Sequence, residues 1–175
     1  SPVPHTAPLR LAINGYGRIG RCFLRALQES PVAHRLQVVA INEPAKLDSM
    51  AYLTRFDSTH GRFPGTVEVE GERLVIDGRS IAVSHARTPE GVDWRALGID
   101  LLVEASGCYG RRQELANFIA AGCPRLLLSH PGASGEDVDA TIVAGINQQT
   151  LTGAEQLVSA ASCTTNAIVP LLSLL

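Results

Sequence analysis

Short, almost unbroken apolar runs alternate along the chain with longer stretches of helical period. Leu9 to Asn14 is the first such run and predicts a buried strand. Arg18 to Glu29 then places Ile19, Cys22, Phe23, Ala26 and Leu27 on one helical face, and Ser30-Pro31 predicts its stop. Leu36 to Ile41 is a second apolar run, completing a strand-helix-strand unit of the kind that holds parallel strands. Lys46 to Phe56 predicts a helix. From Thr66 to Val83 the pattern changes: Val67 and Val69 alternate with Glu68 and Glu70, and Leu74 to Ile76 is separated from Ile81 and Val83 by Asp77-Gly78. Asp-Gly between apolar runs signals a hairpin, so a small antiparallel excursion is expected. Beyond it the pattern predicts a helix over Thr88 to Leu97, a buried strand over Ile99 to Glu104 and a helix over Arg112 to Ala121 ending at Gly122. A buried strand over Arg125 to Ser129 follows, then short strands at Thr141 to Val143 and Leu157 to Ser159, and a helix from Thr164 onward, kinked at Pro170. Strands alternating with helices predict an α/β fold, a doubly wound, Rossmann-type, mostly parallel sheet with a small antiparallel hairpin excursion.

The 175 residues suffice for one domain with its own core. A formal net charge of −2 gives no general attraction to nucleic acid or to an anionic membrane, and no apolar run is long enough to span a bilayer. Residues 1–8, with three prolines, are expected to form a flexible N-terminal arm and lack the apolar centre of a secretion signal. Cys22, Cys108, Cys123 and Cys163 form no CxxC pair and no metal-ligand spacing with the histidines, so no metal is expected. Free thiols in a reducing cytoplasm are the simplest reading.

Chemistry enters at the strand ends. Gly15-Tyr16-Gly17-Arg18-Ile19-Gly20 lies between the first strand and the first helix. In that context Gly15 permits the tight turn, Gly17 lets backbone approach a pyrophosphate, and Gly20 lets helix and strand pack closely. The helix start offers amides and positive potential to phosphates, with Arg18 adding charge. Asn42-Glu43 closes the second strand, where an acid accepts from the adenosine ribose hydroxyls and repels a 2′-phosphate, favouring NAD over NADP. Ser106-Gly107-Cys108-Tyr109 follows the third parallel strand, and Ser129-His130 the fourth, on the edge where open sheets bind ligands. Tyr109 is a ring for stacking on a cofactor or for packing; His130 is a substrate contact or a loop histidine. Cys163 stands at a helix start, where amide dipoles favour the thiolate. Beside a nicotinamide such a thiolate can add to an aldehyde, let hydride leave, and keep the acyl group as a thioester. Ser162 and Thr164 supply neighbouring hydroxyls for capping, an oxyanion or a phosphate.

Three segments carry a closer likeness: Ile13-Asn14-Gly15-Tyr16-Gly17-Arg18-Ile19-Gly20-Arg21, Phe56-Asp57-Ser58-Thr59-His60-Gly61-Arg62-Phe63 and Ala161-Ser162-Cys163-Thr164-Thr165-Asn166. From about Leu9 to its end, the chain resembles the glyceraldehyde-3-phosphate dehydrogenase family. Asn42-Glu43, Ser129-His130-Pro131-Gly132 and Tyr109-Gly110 are similar to the D-erythrose-4-phosphate dehydrogenase branch. The resemblance implies Cys163 as nucleophile and Ser162 and Thr164 at a phosphate. It implies Gly15, Gly17, Arg18, Ile19, Glu43, Ser106, Tyr109 and Ser129 at NAD, to which the glycine turn and strand ends add Gly20, Asn42 and Gly107.

The expected division is therefore an arm over 1–8, an NAD-binding domain over 9–162, and over 163–175 the first helix of a truncated catalytic domain. In this family the catalytic histidine and a phosphate-binding arginine lie beyond Leu175, so the 175-residue fragment is expected to bind NAD without turnover. Ala167 stands where many relatives carry a second cysteine, so a disulfide shut-off is expected to be absent. The resemblance implies oxidation of D-erythrose 4-phosphate to 4-phosphoerythronate, a step of pyridoxal phosphate biosynthesis, by a homotetramer in the cytoplasm. Two alternatives stand beside it: the phosphorylating glycolytic dehydrogenase, and a non-catalytic NAD-binding module.

Overall fold

The computed structural model describes residues 8–30, 33–57, 61–63, 65–129, 138–142 and 156–160. Strand β1 (Leu9–Asn14) leads into helix α1 (Arg18–Glu29), then β2 (Leu36–Asn42) and α2 (Leu47–Arg55). Two short strands follow, β3 (Phe56–Asp57) and β4 (Gly61–Arg62), then β5 (Val67–Glu70), β6 (Arg73–Ile76) and β7 (Arg79–Ser84). The remaining elements are α3 (Trp94–Leu97), β8 (Leu101–Glu104), α4 (Arg112–Ala120), β9 (Leu126–Leu128), β10 (Ala140–Ile142) and β11 (Leu157–Ala160).

Among the described residues nine strands form one sheet in the order β10-β11-β9-β8-β1-β2-β7-β6-β5. All neighbours are parallel except β7-β6 and β6-β5. The doubly wound, mostly parallel sheet expected from the pattern is present, with β1 at its centre. The apolar runs are continuous because both faces of the sheet are covered. Leu11, Ile13, Ile41, Leu101, Val103 and Leu127 belong to one core with Phe23, Leu24 and Leu27 of α1 and Met50 of α2. Their neighbours Ala12, Ala40, Leu102, Leu126 and Leu128 point the other way, into a second core with Trp94, Leu115 and Phe118. Successive strand side chains alternate between faces, so a strand sandwiched between helices must be apolar at every position.

The antiparallel excursion is also present, but it is continuous with the main sheet. Strand β7 lies parallel beside β2, and β6 and β5 extend the edge from it. Within β5 the inferred alternation fails: Val67 is buried whereas Val69 is exposed. The single helix expected over Thr88 to Leu97 is a further correction. A 3-10 turn over Pro89–Gly91 is separated from four-residue α3 by Val92 in an extended conformation. Asp93 restarts the helix by accepting from the Ala96 amide at 3.2 Å. Trp94 is fully buried and donates its ring N–H to the Pro89 carbonyl at 3.0 Å, so its burial decides where the segment bends. Strands β3 and β4 form a two-stranded pair that the pattern did not predict. The N-terminal arm up to Ala7, and the helix expected from Thr164 onward, lie outside the described residues. Among the described residues no helix is long and apolar enough to cross a membrane.

Candidate functional site

Strand order reverses at β1, with β2 on one side and β8 on the other, and three connections emerge there at the carboxyl ends. Such a crevice is where open α/β sheets take ligands. The first connection is the glycine turn. Gly15 adopts φ +90, which a side chain would strain, and a Cβ there would come within 2.5 Å of the Ser106 backbone. Its amide donates to the Asn42 carbonyl at 2.8 Å. Gly17 precedes the first turn of α1, supplies no capping side chain, and has nothing within 4 Å of where a Cβ would stand. No acid occupies that first turn, so a twelve-residue helix directs its positive end at open space. Gly20 lies beneath, where a Cβ would strike the Gly15 carbonyl oxygen. Between the outer glycines Tyr16 turns inward. Its hydroxyl donates to Thr54 Oγ1 at 2.7 Å, Thr54 donates to the Met50 carbonyl at 2.7 Å, and burial pushes the phenol up to about 12.

The second connection begins at Glu43. Its carboxylate accepts from the Tyr16 amide at 2.9 Å through Oε1 and from the Ala45 amide at 2.8 Å through Oε2. Each oxygen has further acceptor capacity for a hydroxyl. Asn42, just before it, is buried and hydrogen-bonded to Asn14 and to the Ala86 backbone. The third connection carries Ser106, Gly107, Cys108 and Tyr109. The Ser106 hydroxyl donates to Glu104 Oε1 at 2.5 Å and accepts from the Cys108 amide at 3.2 Å. Tyr109 packs edge-on against Phe118 with centroids 5.3 Å apart, and burial, then the neighbouring Cys108, raises its phenol above the usual range.

These connections enclose a cleft of about 460 Å³. Of the residues singled out in the sequence, Gly15, Gly17, Arg18, Ile19, Asn42, Glu43, Ser106 and Tyr109 line it. Gly20 and Gly107 support the turns rather than the surface, and Ser129 donates to the Glu104 carbonyl at 3.0 Å behind the third connection. Cys163, Ser162, Thr164 and His130 lie outside the described residues. Sequence reasoning missed Asn14 and Arg87, which also line the cleft. Arg87 follows β7, and only the pairing of β7 with β2 brings it to this edge.

A family profile described as "Glyceraldehyde 3-phosphate dehydrogenase, NAD binding domain" matches residues 9–112. The chain belongs to the glyceraldehyde-3-phosphate dehydrogenase family. The match runs from β1 to the start of α4 and spans all three connections. The cofactor of this family domain is NAD, and the cleft fits it on its own terms. An uncapped helix start, the open position above Gly17 and the guanidinium groups of Arg18 and Arg87 suit a pyrophosphate; the Glu43 carboxylate at the end of the neighbouring strand suits a diol. The floor of the cleft is the buried ends of β1 and β2, where Asn14 and Asn42 stand.

Proposed function

We propose that the protein is an NAD-dependent aldehyde-phosphate dehydrogenase that oxidises D-erythrose 4-phosphate to 4-phosphoerythronate through a thioester on Cys163. The observation that carries this reading is the fitted dinucleotide cleft in a chain that also holds Ser162-Cys163-Thr164-Thr165-Asn166. The cofactor-binding residues are Gly15, Gly17, Arg18, Ile19, Gly20, Asn42, Glu43, Ser106, Gly107, Tyr109 and Ser129, joined by Arg87. The α1 start with Arg18 holds the pyrophosphate, and Glu43 takes the adenosine ribose hydroxyls. Ser106 and Tyr109, on the far wall of the cleft, would hold the rest of the cofactor. NAD supplies the two-electron acceptor.

The chain's own contribution is covalent. The Cys163 thiolate adds to the aldehyde carbon and the resulting alkoxide is held by neighbouring donors. After oxidation the acyl group remains on sulfur. Water then cleaves the thioester, giving the carboxylic acid and restoring the thiol. Ser162 and Thr164 hold a phosphate group. Residues 163–175 begin the catalytic domain, and the whole protein is a cytoplasmic homotetramer acting on a phosphosugar. Glu43, His130-Pro131-Gly132 and Tyr109-Gly110 support the erythrose-phosphate branch over the phosphorylating one.

The test is NADH formation by the full-length enzyme with D-erythrose 4-phosphate and with glyceraldehyde 3-phosphate, each with and without inorganic phosphate. Phosphate-independent turnover of the four-carbon sugar is expected, and Cys163→Ala abolishes it. Preference for the three-carbon sugar with an absolute need for phosphate would make this the glycolytic enzyme.

A further inference from the structure

Behind the cleft, the carboxyl ends of four adjacent strands are tied together by side chains. Glu104, Asn14, Asn42 and Ser84 stand in register across β8, β1, β2 and β7. Asn14 Nδ2 donates to Glu104 Oε1 at 3.0 Å, and Asn42 Nδ2 donates to Asn14 Oδ1 at 2.9 Å. Asn42 Oδ1 accepts from Ser84 Oγ and from the Ala86 amide, each at 2.9 Å. At the other end of this ladder Glu104 Oε1 accepts both the Ser106 amide at 3.2 Å and the Ser106 hydroxyl at 2.5 Å. The ladder therefore joins the third connection of the cleft to the loop that carries Arg87, passing beneath the glycine turn.

Glu104 is the costly member. It is wholly buried, Oε1 gathers three donors, and Oε2 has no hydrogen-bond partner among the described residues. A buried carboxylate with one bare oxygen is a poor source of stability, because an apolar side chain of similar size avoids its desolvation. Its three bonds instead fix the place of one short segment. Ser106 backbone lies against Gly15 so closely that no Cβ fits between them, so a shift of Ser106 changes the width of the crevice directly.

We propose that Glu104 is a positioning residue for the dinucleotide. Its carboxylate clamps the Ser106–Tyr109 wall against the glycine turn and holds the cleft at the width that NAD needs. This inference rests on the assignment of the cleft to NAD.

Two substitutions in the full chain separate reach from charge. Glu104→Gln keeps the length and an acceptor facing the same donors; Glu104→Asp keeps the charge but withdraws it by one methylene. By calorimetry, Glu104→Gln is expected to bind NAD within about threefold of the unaltered protein, and folded Glu104→Asp about tenfold more weakly. Gly17→Asp, which puts a carboxylate where the pyrophosphate would lie, reports on the cleft itself. Loss of binding in Gly17→Asp with unchanged affinity in Glu104→Asp overturns the clamp and leaves the cleft standing. Unchanged affinity in Gly17→Asp overturns both. Should Glu104→Asp fail to fold, amide exchange of the unaltered protein decides. Saturating NAD is expected to slow the Ser106 and Gly15 amides together by about tenfold, and unchanged exchange at Ser106 overturns the clamp.

Discussion

Among the described residues, Tyr16 and Cys123 are the side chains whose titration burial moves furthest. Burial pushes the phenol of Tyr16 from 10.0 to about 12 and the thiol of Cys123 from 9.0 to about 12. Both groups are neutral in the folded chain, and both ionise earlier once it unfolds. Their effect on stability is therefore nil below about pH 9 and grows as pH rises toward 12, because only the unfolded chain gives up protons. At about 1.4 kcal/mol per unit, each withdraws on the order of 2–3 kcal/mol across that window. Urea unfolding at a series of pH values should show stability falling from pH 9. Cys123→Ala should delay the fall to about pH 10, and Tyr16→Phe should make it shallower above about pH 10; a Cys123→Ala profile parallel to that of the unaltered protein would refute the assignment. The same scale shows what the sequence made legible. Gly15, Gly17 and Glu43 each have a local signature, a turn or a strand end, and each is found at the cleft. Glu104 and Arg87 have none, since a glutamate ending a strand and an arginine in a loop acquire meaning only from the strands beside them.

At the scale of elements, the hairpin between β6 and β7 was legible because its turn chemistry is local. Asp77 and Gly78 adopt φ 51 and 78, the paired left-handed conformations of a two-residue hairpin turn, and Asp77 Oδ1 also accepts from the Thr66 amide at 2.9 Å. Gly78→Ala is expected to destabilise the protein by about 1 kcal/mol, since alanine resists that conformation. The loss should appear as faster amide exchange in β5 and β6, with NAD affinity unchanged because the turn is remote from the cleft lining. Loss of NAD binding in that variant would mean that the sheet edge and the cleft are coupled. The α3 segment was not legible for the opposite reason: its break is set by where Trp94 finds a pocket and a carbonyl. Nor does a two-residue strand such as β3 carry a period that could be read.

For the whole molecule, the winding of the sheet turns three separate strand ends into one surface. The alternation of apolar runs was enough to expect this edge, because a strand apolar at every position demands cover on both faces and the connections must then gather at the ends. The order of strands beyond β8 was not readable, since parallel partners are chosen by contacts far apart in sequence. One expected property belongs to this assembled edge: discrimination between dinucleotides. Glu43 faces the cleft from the end of β2 with two amides already on its carboxylate, so it is held in place rather than free to swing away. A ribose diol can donate to it, whereas a 2′-phosphate meets like charge. Ligand that binds only the folded chain at about one hundred times its dissociation constant adds about 2.7 kcal/mol, a rise in Tm of roughly 7 °C for a domain of this size. NAD should produce that rise in a thermal scan, and NADP at the same concentration should produce almost none. Glu43→Ala should narrow the difference from both sides, weakening NAD by loss of the acceptor and of its hold on Tyr16 while relieving the repulsion of NADP. An equal shift with both dinucleotides in the unaltered protein would show that Glu43 serves the turn alone and does not select the cofactor.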